Sequence, residues 1–227
     1  MRKLIKKLIP KFGIQFYRKI KRKYLKFGPM NKVIFEFNKR GVKLRNLCAL
    51  EVYGALGDRH TIDYAKKVKS LDVWENDSNC YSALRKNLPS AIIKITDSYN
   101  EIKRTKRKYD LVVIDNPLVT HSRHCEHFDL FPDIFRILNN EVILIINFSA
   151  VLLDDAKKDC PSILDDLQIE KRKEFYNTDD PFNISFDRIV NTYQSLFNNN
   201  GFNVDWFFKQ TRTPYISYIV FKLSKVQ

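Results

Sequence analysis

The chain has 227 residues, of which 44% are hydrophobic and 29% charged, and its formal net charge is +14. This length suits one sizeable domain with a short appendage. No run of about 18 apolar residues occurs, so we expect no membrane-spanning helix. The four cysteines (Cys48, Cys80, Cys125 and Cys160) show no paired spacing, which favours reduced thiols and a cytoplasmic location over a disulfide framework.

The positive charge is concentrated at the N-terminus. Residues 1–45 hold 16 of the 40 Lys and Arg residues and one acidic residue, Glu36, so we treat them as a separate basic segment. Within residues 2–27, apolar side chains recur at three- and four-residue steps on either side of Pro10 and Gly13. This spacing predicts two amphipathic helices.

Three roles are open for this segment. It could lie on an anionic membrane surface, such as the inner face of the plasma membrane, with its apolar stripe in the interface. It could instead bind nucleic acid, which is less favoured because an arm that only neutralises phosphates needs no apolar stripe. It could also be a docked helix with a solvated basic face.

The first predicted strand, residues 47–52, leads into a turn of small residues. Glu51 stands near the end of the strand, and Tyr53-Gly54-Ala55-Leu56-Gly57 follows. Tight turns at the carboxyl end of a strand are where open α/β sheets bind nucleotide-like ligands, because the backbone can approach the ligand closely. The turn therefore predicts a site for an adenosine-type cofactor.

Beyond the turn, strands and helices alternate. The sequence predicts a helix over 60–68, strands over 70–74, 91–95, 109–114 and 141–146, helices over 78–87, 129–138 and 186–198, and final strands over 202–208 and 215–223. Apolar strands that alternate with helices indicate a parallel sheet covered on both faces, and two adjacent final strands indicate a hairpin. We predict an α/β domain over residues 46–227, with a Rossmann-like doubly wound, mostly parallel sheet and a C-terminal antiparallel hairpin. A polar, acidic insertion near 151–180 would face the substrate.

Four acidic residues end predicted strands: Glu51, Glu75, Asp97 and Asp115. In a doubly wound sheet these strand ends converge on one edge. There Glu75 could accept hydrogen bonds from ribose hydroxyls, and Asp97 could accept one from an adenine amino group beside the backbone amide of Ser98. Each acid taken alone could equally cap the next helix.

Taken together, these motifs resemble those of class I S-adenosylmethionine-dependent methyltransferases. Glu51-Val52-Tyr53-Gly54-Ala55-Leu56-Gly57 is similar to the family's first motif with an aromatic at the third place, although Ala55 stands where glycine is usual. The next motif acids match Glu75, Asp97 and Asp115, and the resemblance covers roughly residues 45–223. It implies methyltransferase activity and binding of S-adenosylmethionine by Glu51, Tyr53, Gly54, Gly57, Glu75, Asp97, Ser98 and Asp115.

The methyl acceptor is predicted from the residues after Asp115. Leu118 and Val119 stand where amino-group methyltransferases have a proline and an aromatic, which argues against methylation of a flipped base. A hydroxyl acceptor needs a base, so we predict His124 and His127 as catalytic candidates, with Asp115 as orienter or alternative base. Packing of the loop, or metal binding by the run from His121 to His127, are alternatives. The order of that run matches no structural zinc spacing, and we predict no metal.

By analogy with enzymes that act on lipid-linked glycans at the bacterial inner membrane, the basic segment favours a glycan acceptor. The predicted function is therefore O-methylation of a sugar of a surface polysaccharide or its lipid-linked precursor. Two alternatives remain: an RNA methyltransferase that holds RNA with residues 1–45, and a non-catalytic membrane-associated scaffold that keeps the fold. The oligomeric state is not predicted.

Overall fold

The computed structural model describes residues 28–226 apart from Pro117, Val119, Ser122 and Leu153. The two helices predicted within residues 2–27 lie outside the described residues. The chain divides into two units, before and after the boundary between Val42 and Lys43, and each is described by itself.

The described part of the first unit contains helix α1, Pro29–Lys39. Proline suits the first turn of a helix because its fixed φ is already helical and its missing N–H would have no partner there. Met30, Val33, Ile34 and Phe37 form one buried face at helical spacing. No element was predicted over these residues.

The second unit is built on a seven-stranded sheet. Its strands are β1 Cys48–Glu51, β2 Ser70–Glu75, β3 Ile92–Ile95, β4 Tyr109–Ile114, β7 Leu138–Phe148, β8 Phe202–Thr211 and β9 Ser217–Lys225, in the order β3-β2-β1-β4-β7-β9-β8. The first five in this order pair in parallel, and β9 pairs antiparallel with both β7 and β8. The predicted α/β fold with a C-terminal antiparallel hairpin is confirmed.

The apolar sequences of the central strands explain why both faces of these strands are buried. Residues 111–114 of β4 and 142–148 of β7 are all buried, as expected for strands covered on both faces. The edge strand β8 instead alternates between more and less exposed residues. A two-stranded hairpin, β5 Thr120–His121 and β6 His124–Cys125, was not predicted.

Helices cover the sheet: α2 Thr61–Tyr64, α3 Tyr81–Asn87, α4 Ser98–Arg104, α5 Asp154–Asp159, α6 Asp166–Tyr176 and α7 Phe186–Asn199. Short 3-10 helices span Leu44–Asn46, Ser78–Cys80, Phe128–Leu130, Asp133–Ile137 and Pro161–Leu164. The predicted insertion contains α5 and α6.

Two helix predictions were wrong. The helix predicted over 60–68 is one turn long, because the chain soon returns to the sheet, where the N–H of Lys69 bonds to the Leu47 carbonyl at 2.9 Å. The helix predicted over 129–138 is two 3-10 segments, because Pro132 between them cannot donate a backbone hydrogen bond.

The main core lies between the sheet and α7. Ile189, Val190, Tyr193 and Phe197 recur at helical spacing on the buried face of α7 and join the apolar strand residues. The Ser185 hydroxyl caps this helix by accepting a hydrogen bond from the N–H of Arg188 at 3.2 Å. None of the helices in the described part of the chain is long and apolar enough to cross a membrane.

Candidate functional site

A cavity of about 380 Å³ opens where the carboxyl ends of β1, β2 and β4 meet the start of α4. This volume is in the range of small-molecule sites. Seven of the eight residues predicted to bind a cofactor line it: Tyr53, Gly54, Gly57, Glu75, Asp97, Ser98 and Asp115. The eighth, Glu51, is fully buried and does not appear among the residues of the cavity wall.

The turn after β1 packs so closely against neighbouring side chains that two of its positions have room only for glycine. A Cβ on Gly54 would collide with the side chain of Val73 in β2, and a Cβ on Gly57 would lie 2.7 Å from Cδ1 of Leu88. Gly57 also has a φ of +63°, which glycine adopts without strain. Ala55 has a φ of +45°, so a residue with a Cβ occupies a left-handed conformation that glycine would adopt without strain.

Glu75 holds this turn from the end of β2. One carboxylate oxygen accepts a hydrogen bond from the N–H of Ala55 at 2.5 Å, and the other accepts one from the N–H of Asp77 at 2.9 Å. Each carboxylate oxygen can accept more than one hydrogen bond. Glu75 therefore shapes the turn and keeps capacity for a ligand hydroxyl.

Asp97 caps helix α4, which is the alternative role that a strand-end acid can have. Its oxygens accept from the N–H of Tyr99 at 3.0 Å and from the side-chain amide of Asn100 at 2.6 Å. Ser98 fixes the same corner, because its hydroxyl donates to the Val52 carbonyl at 2.7 Å. This cap places Asp97 and Ser98 at the cavity wall.

Two tyrosines and Asn116 line the floor of the cavity and converge on the Glu126 backbone carbonyl. The hydroxyl of Tyr99 donates to this carbonyl at 2.8 Å, and the side-chain amide of Asn116 donates at 2.7 Å. The hydroxyl of Tyr53 lies 3.0 Å from that of Tyr99. Glu126 has a φ of +49°, and its carboxylate accepts from Arg172 in α6 at 2.6 Å.

Glu51 forms a buried cluster behind the cavity. One of its oxygens accepts hydrogen bonds from the hydroxyls of Thr61 at 3.0 Å and Tyr64 at 2.6 Å, and lies 3.1 Å from Nε2 of His60. His60 itself lines the cavity. His60 was not predicted as a site residue.

Asp115 lies at the cavity wall with its oxygens engaged by several donors. His60 Nδ1 is 2.5 Å from Oδ2, and Arg212, from the turn between β8 and β9, and Asn147 both donate to Oδ1. Burial alone would raise the pKa of Asp115, but the His60 and Arg212 cations hold it at about 2. Burial would also lower the pKa of His60, yet the Asp115 and Glu51 carboxylates raise it to about 10.

The surroundings of Asp115 favour one of the two roles predicted for it. A carboxylate with a pKa near 2 is a poor proton acceptor at neutral pH, which disfavours its use as the alternative base. Its role as an orienting anion agrees with the geometry. Arg212 was also missed from the sequence, since nothing local marks a turn residue as the partner of a strand end 97 residues away.

The two predicted histidine bases lie in different surroundings. His127 is fully buried among aromatic rings that include Phe128, Phe175 and Tyr193, and burial together with Arg172 lowers its pKa to about 3. This placement does not suit a base for the cavity, so we withdraw the catalytic assignment of His127.

His124 remains next to the cavity without lining it. Its ring stacks on Tyr99, which does line the cavity, with ring centroids 3.8 Å apart. Its Nδ1 lies 2.7 Å from a carboxylate oxygen of Asp129. Within the described residues, no three His, Cys, Asp or Glu side chains come together as a metal site.

No protein-family model matches the chain, and no curated protein sequence matches it. Among solved structures, the chain is similar to M. jannaschii TYW2 in complex with AdoMet, with 13% identity, coverage of 85% of this chain and 76% of that one, and a TM-score of 0.53. It is also similar to ribosomal protein L11 methylase from Lactobacillus delbrueckii subsp. bulgaricus (15% identity, 88% and 79% coverage, TM-score 0.51). A third similar structure is magnesium protoporphyrin IX methyltransferase from Synechocystis PCC 6803 with bound SAH (12% identity, 86% and 81% coverage, TM-score 0.51). At these identities the similarity establishes the fold, which is that of class I methyltransferases.

Proposed function

We propose that the protein is an S-adenosylmethionine-dependent methyltransferase. The observation that carries the proposal is the cavity, because seven residues expected from the family's motifs lie together on its wall. The fold agrees, since TYW2 and the protoporphyrin methyltransferase of the same fold were solved with AdoMet and SAH. The cavity is open rather than filled by side chains, which argues against the scaffold alternative.

The residues present fit this cofactor. Oε1 of Glu51 is buried and has no hydrogen-bond partner among the described residues, and such an acceptor would be satisfied by a water that bridges it to the ammonium group of the cofactor. Glu75 would hold the ribose hydroxyls, and Asp97 with the Ser98 amide would hold the adenine. The small residues at positions 54, 55 and 57 let the backbone approach the ligand.

S-adenosylmethionine would supply an electrophilic methyl group on a sulfonium. The chain's contribution is to place the acceptor in line and to remove its proton. His124 is our candidate base, because Asp129 accepts a hydrogen bond from its Nδ1–H, which leaves Nε2 free of a proton to act as the acceptor. The pKa of Asp129 is lowered by hydrogen bonds from His124 and Lys171 despite the opposing effect of burial, so Asp129 is ionised and suited to this role.

We propose a sugar hydroxyl of a surface polysaccharide or its lipid-linked precursor as the acceptor. The engaged oxygens of Asp115 support this choice, because they leave little capacity to hold the amino group of a base. The basic segment, residues 1–45, supports a membrane-bound substrate through attraction to anionic lipids.

RNA methylation is the second candidate, and the same basic segment is the observation that favours it. The two candidates are separated by deletion of residues 1–27. For a membrane-bound acceptor, the deletion releases the protein from vesicles of anionic phospholipid. For RNA, it abolishes RNA binding whose affinity falls steeply with salt.

Isothermal titration with S-adenosylmethionine tests the main proposal. We expect the intact chain to bind and Glu75→Gln to weaken binding by at least about tenfold, because a carboxylate acceptor for hydroxyls is lost. Glu141→Gln is the control, since Glu141 is an acidic strand residue paired with Lys222 on the surface. The absence of binding by the intact chain would refute the proposal, and equal affinities for all three proteins would remove Glu75 from the site.

A further inference from the structure

We propose that His60 is a positioning residue that keeps Asp115 at the cavity wall as a fixed anion by bridging it to Glu51. The inference deepens the proposed function and rests on it. His60 belongs to neither the motifs nor the predicted bases, and no role was predicted for it from the sequence.

The surroundings of His60 favour a protonated ring. Nε2 of His60 lies 3.1 Å from Glu51, and Nδ1 lies 2.5 Å from Asp115. Nε2 forms a hydrogen bond with Glu51, whereas the contact between Nδ1 and Asp115 is an ion pair without hydrogen-bond geometry. A ring held between two buried carboxylates is stabilised in its charged form. The side chains are 11%, 0% and 3% exposed for His60, Glu51 and Asp115, so both contacts are shielded from water.

The charges around His60 balance. Glu51 and Asp115 contribute two negative charges, and His60 and Arg212 contribute two positive ones. Tyr64 and Tyr218 also contact this cluster, and burial raises the pKa of both hydroxyls well above the usual range, so they stay neutral. Arg59 lines the same cavity and adds a cation to its wall. Without His60, two buried carboxylates would share one cation, and one of them would take up a proton near neutral pH.

The position of both carboxylates does not depend on His60 alone. Thr61 and Tyr64 also hold Glu51, and Arg212 and Asn147 also hold Asp115. Removal of the imidazole should therefore leave the carboxylates near their places and change mainly their charge. This separates a charge role for His60 from a purely structural one.

The test measures the affinity of His60→Asn and of the unaltered protein for S-adenosylmethionine between about pH 7.5 and about pH 5.5. The quantity compared is the ratio of the two Kd values, because titration of the ligand itself cancels in it. Proton uptake by the Glu51–Asp115 pair in the variant removes a negative charge beside a cationic ligand. We expect the ratio to rise by about tenfold as the pH falls, which corresponds to one pKa unit.

Two further variants make the result specific. His60→Asn combined with Glu51→Gln restores the charge balance, so its ratio should not change with pH. Arg107→Gln removes the cation from Asp72, another buried carboxylate, 2.8 Å away and outside the cavity wall. Its ratio should also stay constant. If His60→Asn does not give a cooperative thermal transition, His60→Gln takes its place.

A ratio for His60→Asn that stays constant with pH would overturn the inference while leaving the proposed function intact, as would a double variant that keeps the pH dependence. Lack of binding by the unaltered protein would instead refute the proposed function, and the inference with it.

Discussion

Replacement of Arg172 by methionine should strongly destabilise the second unit, because it leaves a buried carboxylate without its cation. The Arg172 side chain is 1% exposed and pairs at 2.6 Å with Glu126, which is 0% exposed. It also donates to the carbonyls of Ser149 at 2.8 Å and Pro181 at 2.9 Å. Removing one partner of such a pair typically costs about 3–5 kcal/mol. At about 2–4 °C per kcal/mol for a domain of this size, the melting temperature should fall by about 10 °C.

Urea unfolding followed by circular dichroism measures the loss. Lys173→Met is the matched control, because Lys173 neighbours Arg172 on α6 and pairs with Glu170 at 3.0 Å on the surface. An exposed pair of this kind contributes at most about 1 kcal/mol. Glu126→Gln combined with Arg172→Met removes both charges and should recover part of the lost stability.

A loss below about 1 kcal/mol for Arg172→Met would refute this reasoning, since the value would match an exposed pair. A double variant as unstable as Arg172→Met would also contradict it. In that case the hydrogen bonds to Ser149 and Pro181 would carry the effect, and not the buried charge of Glu126.

Three smaller predictions concern single sites. Ala55→Gly should raise the free energy of unfolding by up to about 1 kcal/mol, because φ is +45° there, and a lowered melting temperature would contradict it. Ser185→Ala should cost about 1 kcal/mol, because it removes the cap of α7; an unchanged urea midpoint would argue against the cap. The pKa of His127 is lowered from 6.5 to about 3, so the unfolded chain binds the additional proton and stability falls as the pH drops from 6.5 towards 3. His127→Phe should weaken this acid dependence by about 1 kcal/mol at about pH 5.5, and identical pH profiles would refute it.

The fold was predictable because its strands are evident from local sequence. Tyr109–Ile114 is apolar except for Asp110, and the predicted strand has the same bounds as β4. The prediction that the strand ends meet at one edge of the sheet came from Glu51, Glu75, Asp97 and Asp115, which resemble a known series of motifs. The 3-10 segments around Pro132 were harder to predict, because an apolar pattern of helical period also fits shorter turns.

The site was less predictable, because its decisive contacts join residues that are distant in the sequence. The role that we propose for His60 depends on its contact with Asp115. The two residues meet because β1, which precedes His60, and β4, which precedes Asp115, are neighbours in the sheet. His127 resembles a base in the sequence because it stands in a histidine-rich loop. Its burial depends on aromatic residues of α6 and α7, which no local pattern reveals.

The left-handed backbone at Glu126 has a consequence for protein engineering. Its carbonyl holds Tyr99 and Asn116 on the floor of the cavity, while its carboxylate holds Arg172 of the insertion. Substitutions at this position would therefore alter stability and ligand contacts at once, and neither effect could be selected without the other. Libraries that aim to change acceptor preference should instead vary Cys160 and Ile216. Both line the cavity and neither belongs to the Glu126–Arg172 ion pair.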